Sequence, residues 1–310
     1  MDGLFITFSN SLIALALCIA VGYFCKRKQI INDTHTAGMT EVLVKVAMPC
    51  AVFMSLMRPF STALLLESVA TFFITGGIFL AGGALGIVVA RMMKASSEER
   101  KSWRFGLTFG NIGFMGIPVI TAVFGYEGLF YVAMALASFN LLTFTMGIRI
   151  FDTTGASKAG PLMIFIKNPA LTGTIIGFIF FLTGLRLPAP LEGGVTLMAG
   201  MNSPLSMIVI GALMAKHPLK DTFTDIRVLP ANAVKLVVIP LASLFLLRPF
   251  MPNPIMLGTI VTLMAMPPAI NTAIFAQQFG GEGDTMFATR LVIVGTLLCV
   301  ITVPLIALLL

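Results

Sequence analysis

Phe109-Gly110-Asn111-Ile112-Gly113-Phe114-Met115-Gly116-Ile117-Pro118 sits inside a long apolar run, and three glycines, an asparagine and a proline within ten residues argue against an unbroken helix there. A second run carries Met266-Pro267-Pro268-Ala269-Ile270-Asn271, where adjacent prolines remove two consecutive amide donors and clash with the preceding turn. Both runs are long enough to cross a bilayer, which takes about 20 apolar residues. A helix broken in mid-membrane presents free amides and the positive dipole end of its second half. A pair of such breaks is therefore the strongest sequence pointer to a transporter's binding site, and it favours anions.

The rest of the chain agrees with a membrane setting. Of 310 residues, 57% are hydrophobic and 11% are charged, against roughly a quarter charged in soluble domains. Apolar runs near 4–25, 39–57, 64–92, 103–124, 128–150, 164–185, 193–215, 228–247, 254–279 and 285–310 read as ten helical spans. They fill these 310 residues and leave no hydrophilic stretch of domain size, so no nucleotide-binding or catalytic domain is expected among them. An enzyme within the membrane would need a positioned nucleophile and base, or a metal cluster. The two histidines, His35 and His217, fall in loops, so no catalysis, cofactor or metal is expected. The four cysteines, Cys18, Cys25, Cys50 and Cys299, form no Cys-x-x-Cys pair and are expected to be buried, inert thiols.

The net charge of +7 reads as topology and not as nucleic-acid binding. The basic cluster Lys26, Arg27 and Lys28 follows the first apolar run, the reverse of a cleavable signal peptide, so that span is expected to be retained. With the N-terminus outside, fifteen of the 20 Lys and Arg residues fall on the cytoplasmic side and only Arg58, Arg186 and Arg248 fall outside. That bias sets both termini outside. Sliding the second half back by 155 residues aligns Gly22 with Gly177, Gly38 with Gly193 and Pro49 with Pro204. The same offset aligns Phe124, Gly125, Glu127 and Gly128 with Phe279, Gly280, Glu282 and Gly283. Five spans per half place the halves in opposite orientations, an inverted repeat.

Two basic residues remain inside spans. Lys45 lies four residues before Pro49, and Lys235 lies eight residues past Arg227 and five before Pro240. At 1.5 Å per residue they reach roughly 9 Å and 12 Å from the cytoplasmic side. Lys45 is within reach of Glu41 one turn back or of the headgroups. Lys235 is deeper, where a charge costs several kcal/mol unless it meets water or a partner. The carboxylates lie in loops or near span ends, so the interior's ionisable groups are expected to be cationic and to suit a carboxylate-bearing solute. Without a central acid to carry an ion, uncoupled, potential-sensitive transport is expected.

Residues Gly110 to Val119, Phe124-Gly125-Tyr126-Glu127-Gly128-Leu129, Phe139-Asn140, Asn168-Pro169, and Met266-Pro267-Pro268-Ala269 with Asn271 and Gln277 resemble the auxin efflux carrier family of bacterial permeases. That family is related to the plant auxin exporters and more distantly to bile-acid symporters. The resemblance covers the whole chain and implies crossed broken helices in the fourth and ninth spans and an elevator-like alternation. It makes Asn111, Pro118, Pro268 and Asn271 crossover residues, and Lys235 fits a basic position before the eighth-span proline. The long hydrophilic central loop of the plant exporters is absent, the connection from Arg149 to Lys167 being short.

The expected fold is thus an all-α polytopic membrane protein with ten transmembrane helices in an inverted five-plus-five repeat, its halves being 1–155 and 156–310. The expected function is a secondary transporter of small organic anions, carboxylates such as malate- or malonate-like dicarboxylates, in the cell inner membrane. An anion channel and a sodium-coupled organic acid symporter stay open as alternatives. The expected substrate-binding residues are Asn111, Gly113, Asn271, Lys235, Lys45 and Gln277, and the expected helix breaks are Gly110, Gly116, Pro118, Pro267 and Pro268. The expected partners are the organic anion and the lipid bilayer, with no nucleic acid; homodimerisation stays open.

Overall fold

A computed structural model describes residues 2–97, 99–151, 168–216, 225–279 and 282–310. The expected boundary at 155, with Lys158, Lys167, His217, Lys220 and Gly280, lies outside the described residues. Helices α1 (Asp2–Arg27), α2 (Asp33–Val42), α3 (Met48–Leu56), α4 (Thr62–Met92), α5 (Glu99–Thr108), α6 (Ile117–Leu142) and α7 (Ile148–Phe151) come first. Then follow α8 (Pro169–Thr183), α9 (Ala189–Gly200), α10 (Asn202–Met214), α11 (Val228–Ala233), α12 (Ile239–Leu247), α13 (Pro254–Met264), α14 (Asn271–Phe279) and α15 (Glu282–Ala307). No strand occurs among the described residues.

Among the described residues, seven helical stretches are long and apolar enough to cross a membrane, and Pro169–Thr183 and Pro254–Met264 are shorter apolar helices. The protein is therefore a multi-pass helical membrane protein. The longest of the seven, Ile112–Phe151, is interrupted at Gly125, whose φ of 60° and ψ of −153° are not helical. A side chain is strained at that φ, so glycine permits the bend. The bend falls in the gap expected between the fourth and fifth spans.

Four π-helical turns, Leu43–Ala47, Ile112–Gly116, Thr143–Gly147 and Val234–Val238, interrupt the regular helices. Three of them stop two residues before a proline, Pro49, Pro118 and Pro240. In each, the residue ahead of the proline donates its amide to the carbonyl five back: Met48 to Leu43, Ile117 to Ile112 and Ile239 to Val234. The wider turn relieves the clash of the ring with the preceding turn, so the helix continues through the proline. Pro118 and Gly116 thus sit within continuous helical structure, and the break expected of them occurs earlier, at Gly110.

The packing is that of a protein surrounded by hydrocarbon. Leu17, Phe73, Leu197, Phe245 and Ile301 are exposed, while Ser68, Thr71, Thr75, Thr174, Ser243 and Thr296 are buried. Each of those hydroxyls donates to the carbonyl four residues back, so none needs water. The expectation of four buried thiols is corrected. Cys299 is buried, but Cys18, Cys25 and Cys50 are half-buried; Cys18 and Cys50 pack against the edge of the apolar core, where a sulfur behaves as a small apolar group.

α1 packs on α10, and α3 packs on α8 and α9; α4 packs on α5 and α6, α13 on α6 and α12, and α15 on α5, α11 and α14, while α1 and α3 also pack on α6 and α1 on α15. Small residues set the closest approaches around α1, α3, α8 and α10. A carbon added at Gly22 would lie 2.2 Å from the Ile208 carbonyl oxygen, one at Gly211 2.0 Å from that of Ile19, and one at Gly173 2.6 Å from that of Pro49. Backbones in membranes associate through such small-residue contacts. Gly211→Leu should destabilise this contact by about 1–3 kcal/mol and lower the melting temperature in detergent by several degrees. Gly193→Ala, with nothing within 4 Å, should leave it unchanged. An unshifted melt for Gly211→Leu contradicts the packing.

Candidate functional site

α5 ends at Thr108 and α13 at Met264, and the segments that follow run past each other in extended form. Gly110 and Pro268 form an antiparallel bridge. The Asn111 amide donates to the Pro267 carbonyl at 2.7 Å, and the Ala269 amide donates to the Phe109 carbonyl at 2.9 Å. Pro267 and Pro268 have no amide hydrogen to satisfy, so two unwound segments can pair with few orphaned donors. Beyond the crossing, the π-turn Ile112–Gly116 leads into α6 and Asn271 begins α14. Two half-helix N-termini therefore start at the crossing.

Two buried polar side chains stand out here. Asn111, 4% exposed, leaves its Nδ2 group unbonded. Lys235, 1% exposed, pairs with no carboxylate among the described residues. Its Nζ lies 3.4 Å from the position a side-chain carbon on Gly110 would take, and the Leu263 and Met266 carbonyls approach that position equally closely. The Leu263 carbonyl belongs to the last turn of α13 and that of Met266 lies just beyond it, at the negative end of the helix dipole, a favourable setting for a protonated amine. A lysine amine and a side-chain amide thus lie beside unwound backbone in a buried setting, donors of the kind that can receive a carboxylate.

The other expected residues are distributed around this point. Gly113 packs against the Met48 thioether, and Gly116 lets the π-turn approach α13, since an added carbon would lie 2.7 Å from Leu263 Cδ2. Asn271 is half-buried at the start of α14. Gln277 is exposed near its end and lines a cavity of about 330 Å³ between α10, α14 and α15. Lys45 stands apart from the crossing. It is exposed, ion-paired with Glu41 at 3.4 Å, and lines an open groove with Pro49, Phe53 and Phe180. Lys45 and Lys235 share a local setting, a π-turn ahead of a proline, but not a location.

Three buried residues near these elements escaped the sequence reading. Asn232, fully buried one turn before Lys235, donates to the Val228 and Leu291 carbonyls and leaves its Oδ1 unbonded. Gly295 makes room for both Asn232 and the proline pair, since an added carbon would lie 2.5 Å from Asn232 Oδ1 and 2.7 Å from Pro268 Cδ. Asn202, 1% exposed at the start of α10, leaves both amide atoms unbonded. The three-residue spacing of Asn232 and Lys235 was the available signal for the first. One carboxylate near a helix end is buried as well. Asp284 is fully buried and accepts a hydrogen bond from Ser102 Oγ, joining α15 to α5.

A multi-pass helical protein whose two broken helices cross beside a buried lysine, with no carboxylate partner among the described residues, has the build of a membrane transporter. The chain belongs to the membrane transport protein family, whose sequence pattern matches residues 7–160 and 162–307. This is the auxin efflux carrier family that the motifs resemble. Among its relatives, an "Uncharacterized transporter" of Methanothermobacter thermautotrophicus is 23% identical over 97% of this chain and 98% of its own length. The "Uncharacterized transporter YfdV" of Escherichia coli strain K12 is 24% identical over 96% of both chains. A protein of Rhizobium meliloti named "Putative malonate transporter" is 26% identical over 92% of this chain and 90% of its own.

The unbonded Asn111 amide has a consequence for stability. Replacing a buried group that makes no hydrogen bond by an apolar one of similar shape is close to neutral. Asn111→Leu should therefore keep the wild-type melting temperature within a few degrees, or raise it. A drop of ten degrees or more would contradict an unsatisfied amide at the crossing.

Proposed function

We propose that this protein carries small organic anions, carboxylates of the malonate or malate type, and binds them where the broken helices cross. The observation that carries this reading is Lys235, a fully buried cation with no carboxylate partner among the described residues, beside the unwound backbone at Gly110. A charge within the membrane persists only where it meets water, a partner or a ligand. Asn111, with its free amide, and the N-termini at Ile112 and Asn271 add donors of matching sign. The relative named for malonate supports a dicarboxylate.

The proposed topology has ten spans with both termini outside, and contacts between distant helix ends support it. On the proposed cytoplasmic side, Asp33 pairs with Lys26 and Lys216, Arg227 pairs with Glu99 and Asp225, and Lys101 donates to the Phe151 carbonyl. On the proposed outer side, Arg58 pairs with Glu127, Arg186 donates to the Met57 carbonyl, Arg248 to that of Leu309, and Asn253 to Glu67. No contact in either set joins ends that the alternation separates. The inverted repeat has support of the same kind. Gly22 abuts Ile208 and Gly177 abuts Phe53, and each contact is the other displaced by 155 residues.

In the proposed alternation, the body of α4–α6 and α11–α15 carries the crossing past the body of α1, α3 and α8–α10, as in an elevator. Lys235→Gln should then weaken malonate binding at least tenfold, about 1.4 kcal/mol, and weaken monomethyl malonate much less, because only the dianion brings a second charge to offset. Isothermal titration with the purified variant reads both affinities. Equal losses for the two ligands would refute the charge pairing.

A further inference from the structure

The cavity of about 330 Å³ between α10, α14 and α15 was not anticipated from the sequence, and its walls are graded along its length. Lys216, just past the end of α10, Gln277 near the end of α14 and Thr285 in the first turn of α15 lie at one end. Ile270, the residue before Asn271, and Thr296, about four turns along α15, lie deeper. Among the described residues that line it, Lys216 carries the only charge, and Thr285, Thr289 and Thr296 place hydroxyls along one face of α15. The cavity therefore leads from a cationic mouth, past hydroxyls, to the segment that crosses at Pro268.

The mouth lysine is held in place. Lys216 Nζ lies 2.8 Å from Asp33 Oδ1, and Lys26 Nζ lies 2.9 Å from the same oxygen. One carboxylate shared by two ammonium groups leaves the cluster with a net positive charge, and the Lys216 side chain stays 40% exposed. Asp33 is itself fixed beside Asn32, which caps α2. A fixed positive charge at the mouth of a low-dielectric cleft concentrates anions and repels cations.

We propose that this cavity is the cytoplasmic antechamber of the crossing site and that Lys216 is its anion-selecting residue, acting before Lys235 is reached. This rests on the transport reading above, and it assigns selectivity to a residue on the opposite body from Lys235. Lys216 sets the charge preference for solute arriving from this side only. From the other side the preference is independent of it.

The test needs no transported solute, so its failure is distinct from failure of the substrate assignment. On a background in which Cys18, Cys25, Cys50 and Cys299 are replaced by Ala, Thr289→Cys is treated in inside-out vesicles with sulfonatoethyl and with trimethylammonium-ethyl methanethiosulfonate. The anionic reagent is expected to react at least fivefold faster than the cationic one. Adding Lys216→Glu is expected to reverse that order, and Lys216→Gln to level it. The same reagents in right-side-out vesicles are expected to leave Thr289→Cys unmodified. Equal rates for the two reagents with Lys216 present, an order unchanged by Lys216→Glu, or labelling from the outer side alone would each overturn the proposal.

Discussion

Backbone polar groups inside hydrocarbon must be satisfied by protein, and this fold departs from helical self-satisfaction where two segments can satisfy each other. Phe109, Gly110 and Asn111 leave their helix, as do Ala265 to Ile270, and the two bonds between Asn111 and Pro267 and between Ala269 and Phe109 make the departure tolerable. Neither break is stable without the other. The rest of the site follows from that pairing. It brings two half-helix N-termini to one place, opens a backbone position at Gly110 with no side chain, and lets Lys235 reach it from a third segment.

The same constraint explains how the chain handles prolines elsewhere. Pro49, Pro118 and Pro240 each follow a π-turn whose last amide reaches five residues back, so the helix widens and does not end. The paired prolines Pro267 and Pro268 have no such turn before them and the helix ends. Widened turns are weak points in a helix, and three of the four lie on segments that touch or adjoin the crossing. The proposed alternation, in which one set of helices moves past another, would use helices that are rigid along most of their length and adjustable at a few turns.

Much of this was legible in the sequence because hydrophobicity and helix-breaking residues are local signals. The apolar helical character of the chain, the two breaks and an apolar setting for Lys235 follow from residue type and spacing. What the sequence could not give depends on which helix faces which. Lys45 and Lys235 look alike in the chain, each before a proline, yet one ends on an outer face beside Glu41 and the other at the crossing. Asp284 reads as a residue at a helix end, and only the packing of α15 on α5 buries it against Ser102. Asn202 and Asn232 read as ordinary polar residues in apolar helices until their neighbours are known.

The central claim is that a carboxylate binds at the crossing and not elsewhere on the helices. Amide hydrogen exchange of the protein in nanodiscs, with and without saturating malonate or malate, tests it most directly. The account predicts that one of these ligands slows exchange at Gly110 to Gly116 and at Ala269 to Ala273, leaving the amides around Lys45 unchanged. Protection around Lys45 with none at the crossing would contradict it.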